Sequence, residues 1–240
     1  MPGAEAERPL VVLTGASQGI GAALATLFAR EVPCRLALLA RNESRLEEVA
    51  GECRASGAEA AVFACDVADA GAVASVAGRV LEQFGAPDVL VNNAGRFIGV
   101  PFLETTIEQF DDLLAANLRS VFLVSKAFLP AMVQRGRGHV FNMSSIAGRD
   151  PYPGGAAYCS SKFGVTGLSR VMRREMMAHG IRVTTVYPGA TFTPSWEGSG
   201  VAAEVMMPAE DVARSFLDAY RMSARTVVEE IVLRPIGGDL

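Results

Sequence analysis

The sequence predicts one doubly wound α/β domain, with about seven mostly parallel strands and helices on both faces. Three observations carry this reading. Short β-rich runs alternate with longer amphipathic ones along the whole chain, which is the βαβ rhythm. The strand runs (VVLT, LALLA, VLVNN) are apolar almost without interruption, as strands buried on both faces require. The 240 residues, 50% of them hydrophobic, suffice for one large core.

Taken in order, residues 1–9 read as a short flexible acidic arm without the apolar core of a signal peptide, and residues 10–240 as a single domain. Leu10–Thr14 is the first expected strand, a glycine-rich turn follows, and residues 22–31 form a helix. The stretch 9–29 carries no charge and holds a GxxxG at Gly15 and Gly19, a spacing used by packed membrane helices. Thr14, Ser17 and Gln18 among three glycines suit a strand, a turn and a helix start better, so no membrane span is expected. Arg35–Ala40 is the second strand and Glu43–Ala55 the next helix. Further strands are expected at 60–65, Val89–Asn92, 140–144, 182–187 and 227–233, with helices filling the gaps. The longest helical patterns are 105–116, 118–134 and 156–179. Their apolar surface exceeds what one sheet face covers, which points to a homo-oligomer, dimer or tetramer, although a monomer core explains it almost as well. Residues 189–207 form the only long irregular stretch, of the kind that often serves as a binding loop.

Composition excludes some functions. A net charge of -4 with no basic block argues against a nucleic-acid surface. Four cysteines without metal spacing and only two histidines argue against a metal site and fit reduced thiols in a cytoplasm. Cys159 lies one helical step from Tyr158, which turns its thiol away from that face.

The chemistry centres on Tyr158-Cys159-Ser160-Ser161-Lys162, with Ser145 upstream. Residues four apart share a helix face, so the Tyr158 phenol and Lys162 ammonium can address one substrate. A free phenol has a pKa of about 10, and an adjacent ammonium is expected to lower it towards the range of proton exchange with a carbonyl or alcohol. An exposed, unconnected pair is the plain alternative. The second motif, Thr14-Gly15-Ala16-Ser17-Gln18-Gly19-Ile20-Gly21, directly follows a strand. Its glycines let backbone N–H groups approach a pyrophosphate at a helix N-terminus. A tight turn without a ligand is the alternative there.

These motifs occur in order with Asp66-Val67, Asn92-Asn93-Ala94-Gly95, Asn117 and Pro188-Gly189. Together they resemble the short-chain dehydrogenase/reductase family over essentially the full length. The resemblance implies a Rossmann-type domain that moves hydride between a nicotinamide dinucleotide and a small-molecule carbonyl or alcohol. It implies Tyr158 as general acid in reduction, Lys162 as the residue that lowers its pKa and holds the nicotinamide ribose, Ser145 on the substrate oxygen, and Asn117 in a water-mediated relay to the lysine. The phosphates would lie on Gly15, Ser17, Gln18, Gly19, Ile20 and Gly21. The adenosine would lie by Asp66, Val67, Asn93, Ala94 and Gly95, and the carboxamide by Pro188, Gly189 and Thr191.

The cofactor form follows from charge. The second strand ends in Ala40-Arg41, where NAD enzymes place a carboxylate on the ribose 2'-OH. A neutral residue removes repulsion and a guanidinium pairs with a 2'-phosphate, so NADP(H) is expected, with NAD(H) possible because Gln18 stands where many relatives have a second cation. Arg96, Phe97, Ile98, Arg149, Tyr152, Pro153, Phe192 and Trp196 are candidates for the substrate pocket, with Arg96 favouring an anion if it faces the site. The expected reaction is reduction of a ketone or aldehyde, a 3-oxoacyl thioester among the candidates. Oxidation of an alcohol or hydroxysteroid, or a non-catalytic dinucleotide sensor, are the alternatives.

Overall fold

The computed structural model describes residues 8–196, 198 and 200–238; most of the expected N-terminal arm lies outside the described residues. Seven strands form one parallel sheet in the order β3-β2-β1-β4-β5-β6-β7. They are β1 (Leu10–Thr14), β2 (Arg35–Ala40), β3 (Glu59–Ala64), β4 (Val89–Asn92), β5 (Gly138–Met143), β6 (Ile181–Pro188) and β7 (Glu230–Leu233). The helices are α1 (Gly19–Glu31), α2 (Glu43–Ala55), α3 (Ala70–Phe84), α4 (Ile107–Leu114), α5 (Ser120–Arg135), α6 (Ala156–Met176) and α7 (Ala209–Arg221).

Side chains of a strand alternate between faces, and β1 shows the consequence. Val11 and Leu13 join Leu24 and Phe28 of α1, Leu46 of α2 and Phe216 of α7 in one core. Leu10 and Val12 join Val80 of α3 and Val124 and Phe128 of α5 in the other. Because both faces are covered, the strands carry no polar face, which is why their sequences run apolar. β1 lies between β2 and β4, with Leu13 opposite Leu38 on one side and Val91 on the other. The strand order reverses at β1 and β4, and the crevice beyond their carboxyl ends is where such sheets take ligands.

β3, β5 and β6 shift by one or two residues from the sequence expectation, and four boundaries differ in ways that bear on the packing. α1 starts at Gly19 rather than residue 22, so the second and third glycines of the turn form its first turn. The helices expected at 105–116 and 118–134 form one continuous run, α4 and α5 joined by a π-helical turn at Ala115–Arg119. This run is long and apolar enough to span a bilayer, yet its Val124, Phe128 and Met132 belong to the protein core. α6 ends at Met176 and a 3-10 turn completes the segment to His179. β7 begins at Glu230 rather than 227, because the Thr184 hydroxyl takes the Val228 carbonyl at 2.5 Å. The ends of the expected irregular stretch are tied by Phe192 N–H to Met207 O at 2.8 Å and Met207 N–H to Ala190 O at 3.0 Å.

His139, on β5, is fully buried and stacks on Phe141 with ring centroids 3.9 Å apart. Its Nε2 lies 2.7 Å from Thr184 Oγ1, whose proton is already given to Val228, so Nε2 must be the protonated nitrogen. Burial holds its pKa down, from 6.5 to about 3. A histidine kept neutral in the fold contributes stability that is full above pH 6.5 and is lost as pH falls towards 3. Stability measured by denaturant unfolding is therefore expected to fall between pH 6.5 and 4 with a histidine component of about 1.4 kcal/mol per pH unit. His139→Phe, which keeps the stacking, should remove that component; an unchanged slope in the variant would show that His139 is not its source.

Candidate active site

A cavity of about 1070 Å³ opens beyond the carboxyl ends of the strands. Its walls include every residue assigned from sequence to the cofactor: Gly15, Ser17, Gln18, Gly19, Ile20, Gly21, Arg41, Asp66, Val67, Asn93, Ala94, Gly95, Pro188, Gly189 and Thr191. Ser145, Tyr158 and Lys162 line it too. Asn117 does not; it is buried behind Gly95, one layer back.

The glycine turn is shaped by close backbone packing. Gly15 has φ +67°, which favours glycine, and a Cβ on Gly21 would sit 2.1 Å from Gly15 O. The Asn93 side chain, expected beside a ribose, donates instead to Thr14 O at 3.0 Å and Gly15 O at 3.2 Å, stapling this turn to the end of β4. Gln18 is the N-cap of α1 but offers no side-chain acceptor to the helix, and the first turn contains no acid. The first N–H groups of α1 are thus left for an anion at the positive end of the helix dipole, which suits a pyrophosphate.

At the far end of the cavity, α6 brings Tyr158 and Lys162 together. Lys162 is buried, its Nζ donates to Met143 O at 3.0 Å, and it lies 5.7 Å from the Tyr158 ring centre. Burial lowers its pKa from 10.5 to about 8. The Tyr158 phenol moves the other way from the sequence expectation. Burial raises its pKa, and the hydrogen bond with Ser145 opposes that shift without reversing it. The reason is that in this protein both groups of the pair are desolvated, and desolvation disfavours the charged form of each.

Ser145 and Ser144 separate cleanly. Ser145 caps a short 3-10 turn by accepting from Ala147 N–H at 3.2 Å and faces Tyr158. The Ser144 hydroxyl donates to Lys162 O at 3.0 Å, and is spent on seating α6. The Asn117 amide is engaged at both ends: Nδ2 donates to Arg96 O at 2.9 Å and Ser161 Oγ at 3.0 Å, and Oδ1 accepts from Arg96 N–H at 2.8 Å. It fixes the segment after β4 against α6 from inside the π-helical turn, a distortion that recurs at functional sites.

Of the substrate-pocket candidates, Arg96, Phe97, Tyr152 and Trp196 line the cavity, and Ile98, Arg149, Pro153 and Phe192 do not. Arg149 instead pairs with Glu230 at 3.1 Å and lies over the Tyr187 ring. Arg96 pairs with Asp112 at 2.8 Å, so its charge is already met and the expected preference for an anion loses its basis. Phe97 packs edge-on against Tyr158 at 5.0 Å. Asp112, Asp150 and Arg45 also line the cavity and were not singled out from sequence; their separation from the motifs gave no signal.

Comparison with known proteins agrees with this geometry. The family profile described as short chain dehydrogenase matches residues 9–201. A sepiapterin reductase of Chlorobaculum tepidum is 37% identical over 239 residues, spanning 96% of this chain and 98% of its own. A D-threitol dehydrogenase of Mycolicibacterium smegmatis is 36% identical over 204 residues, 83% of this chain and 78% of its own. An alcohol dehydrogenase from the archaeon Thermococcus sibiricus, solved with 5-hydroxy-NADP, has a similar structure with a TM-score of 0.90 at 32% identity, covering 96% of this chain and 97% of that one. A metagenomic short-chain oxidoreductase solved with NADP gives a TM-score of 0.83 at 36% identity, covering 95% and 96%.

The buried ammonium has a cost that can be measured. With its pKa held at about 8 against 10.5, Lys162 opposes folding, fully so below pH 8 where it is charged in both states, by about 3 kcal/mol at most. Lys162→Met is expected to raise the melting temperature of the cofactor-free protein at pH 7, while abolishing turnover. A drop in melting temperature would show that the bond to Met143 O outweighs the burial of charge.

Proposed function

Since the chain belongs to the short-chain dehydrogenase/reductase family, we propose that it is an NADP(H)-dependent oxidoreductase that reduces a ketone or aldehyde to an alcohol, with Tyr158 as the general acid. The observation that carries this reading is the half-buried Tyr158 phenol, facing Ser145 at the end of a dinucleotide-sized cavity that also contains a buried lysine. The cofactor, when bound, supplies the hydride.

The protein's own groups do the rest. Tyr158, kept protonated at neutral pH by burial, donates its proton as negative charge develops on the substrate oxygen. Ser145 orients that oxygen through its hydroxyl. Lys162 spends one N–H on Met143 O and has two more for the tyrosine side of the cavity and a ribose hydroxyl. Its pKa of about 8 suits a group that returns protons to the phenol near neutral pH. Both N–H groups of the Asn117 amide are committed, so that side chain could hold a relay water only as an acceptor, through Oδ1.

For NADP(H), the supporting features are Ala40 and Arg41. Ala40 ends β2 without a carboxylate, and Arg41 stands exposed in the cavity wall with no hydrogen bond or ion pair among the described residues. The two solved relatives hold NADP or 5-hydroxy-NADP. On the substrate side, Phe97, Tyr152 and Trp196 give aromatic walls, while the nearby carboxylates Asp112 and Asp150 are each paired with an arginine. Such walls favour a flat, uncharged carbonyl compound, and the relative from Chlorobaculum tepidum is named as a sepiapterin reductase. Phe122, Phe163 and Val171 stand exposed on α5 and α6, which supports the homo-oligomer expected from sequence.

Two measurements test this. In a screen of aromatic and cyclic ketones, sepiapterin and 3-oxoacyl thioesters with NADPH, Tyr158→Phe is expected to lower kcat by roughly 10²–10⁴-fold while cofactor Kd stays within a few-fold. Unchanged turnover would remove Tyr158 as the acid. The direction of pH dependence follows from the raised phenol. Reduction needs the proton and should fall as pH rises through the phenol's ionisation, while oxidation of the product alcohol needs the phenolate and should climb over the same range. The opposite trends would assign the proton transfer elsewhere.

A further inference from the structure

Arg41 is not the only cation at the end of β2. Arg45, in the first turn of α2, lines the same part of the cavity as Ser17, Gln18, Ala40 and Asn42. Its guanidinium donates to Gln18 Oε1 at 2.7 Å. We propose that Arg45, positioned by Gln18, is a second specificity-determining cation for the 2'-phosphate of NADP(H), so that Arg41 and Arg45 clamp the phosphate between them. This rests on the NADP(H) reading above and extends it to a residue pair.

Three features point to this role. First, a cation in the first turn of a helix sits at the positive end of the dipole, where an acid is the favourable choice. Arg45 also has the positively charged Arg41 close by in sequence, and an anion held between the two relieves both oppositions. Second, Asn42 caps α2 independently of the Arg45 side chain: its Oδ1 accepts from Arg45 N–H at 3.0 Å and from Ser44 Oγ at 2.9 Å. A guanidinium, which has donors only, has no part in capping a helix start and is left for another partner. Third, the bond to Gln18 uses one of five N–H donors and leaves a fork for a phosphate. Gln18, neutral at a place where a second charge would help, holds a charge that comes from the next helix. It acts here as a positioning residue.

Equilibrium binding of NADPH, NADH, 2',5'-ADP and 5'-ADP to the full chain, with melting temperature recorded in parallel, tests the clamp. Wild-type protein should bind NADPH and 2',5'-ADP more tightly than the partners lacking the 2'-phosphate, with the preference shrinking as salt rises. Arg45→Ala should weaken NADPH and 2',5'-ADP about tenfold and leave NADH and 5'-ADP within twofold, at an unchanged melting temperature. Arg45→Lys should recover part of the loss. Gln18→Ala should shift the same two ligands by a smaller factor of about three, and Arg41→Ala with Arg45→Ala should erase the preference. If Arg45→Ala weakens all four ligands equally, or none, Arg45 is only a tie between α1 and α2 and the clamp is refuted, while a wild-type preference for NADPH would leave the cofactor reading standing. A wild-type protein that binds NADH as tightly as NADPH overturns the cofactor reading and the clamp with it.

Discussion

The hydroxyl of Thr14 bridges the two strands at which the sheet reverses its order. It donates to Val91 O at 3.2 Å and accepts from the N–H groups of Asn93 at 3.0 Å and Ala94 at 3.1 Å. The Asn93 amide closes the same joint from the other side. Parallel strands splay at their ends as the sheet twists, and a crevice there is inherent in the fold. What this joint settles is its width. The glycine turn can approach Ala94 so closely that a Cβ on Gly15 would lie 2.8 Å from Ala94 Cα, and the floor of the cavity is formed by backbone on both sides. A buried hydroxyl with all its hydrogen bonds made adds rigidity at little cost, whereas one left unpaired would be expensive.

The joint also explains why the fold was readable from sequence. Strands buried on both faces run mostly apolar, with their few polar residues held in hydrogen bonds, so VVLT, LALLA and VLVNN announce themselves. The glycine turn and YxxxK were legible because each needs fixed residue types at fixed spacing. Boundaries were less so. Gly19 and Gly21 read as turn residues by propensity, yet they lie inside α1, since tertiary packing against Gly15 O and Thr193 requires the missing Cβ more than the helix resists it. The π-helical turn at Ala115–Arg119 left no trace at all, because AANLR satisfies a plain helical pattern equally well. Arg45 and Asp112 were invisible for another reason: each matters through a partner, Gln18 or Arg96, that lies far away in the chain.

Electrostatics was the property least legible in the sequence. Spacing placed Tyr158 and Lys162 on one face correctly, and the inference that the ammonium would lower the phenol's pKa followed from pairwise attraction alone. In the folded chain the same apolar surroundings act on both groups, raising the phenol and lowering the ammonium, so that two values that start close together are driven apart. Burial cannot be read from two residues four apart. It depends on Phe97 packed on the phenol and on Met143 O at the lysine's Nζ, which come from two other segments of the chain.

Such a pair is a strained arrangement that the fold holds in place without a carboxylate to neutralise it. An acidic partner for Lys162 would stabilise the protein, yet it would also hold the ammonium's proton more firmly and raise its pKa away from neutrality. Backbone carbonyls are the compromise. Met143 O accepts one N–H at the end of β5 without bringing a negative charge, so the lysine remains a cation of modest basicity whose remaining donors stay free. The same logic explains the role of Asn117. By engaging both ends of its amide with Arg96 and Ser161, it adds no charge to the site but locks the segment after β4 to α6, holding Gly95 near Lys162. The chemistry of the site thus depends on neutral hydrogen bonds arranged to keep two ionisable groups close and incompletely satisfied.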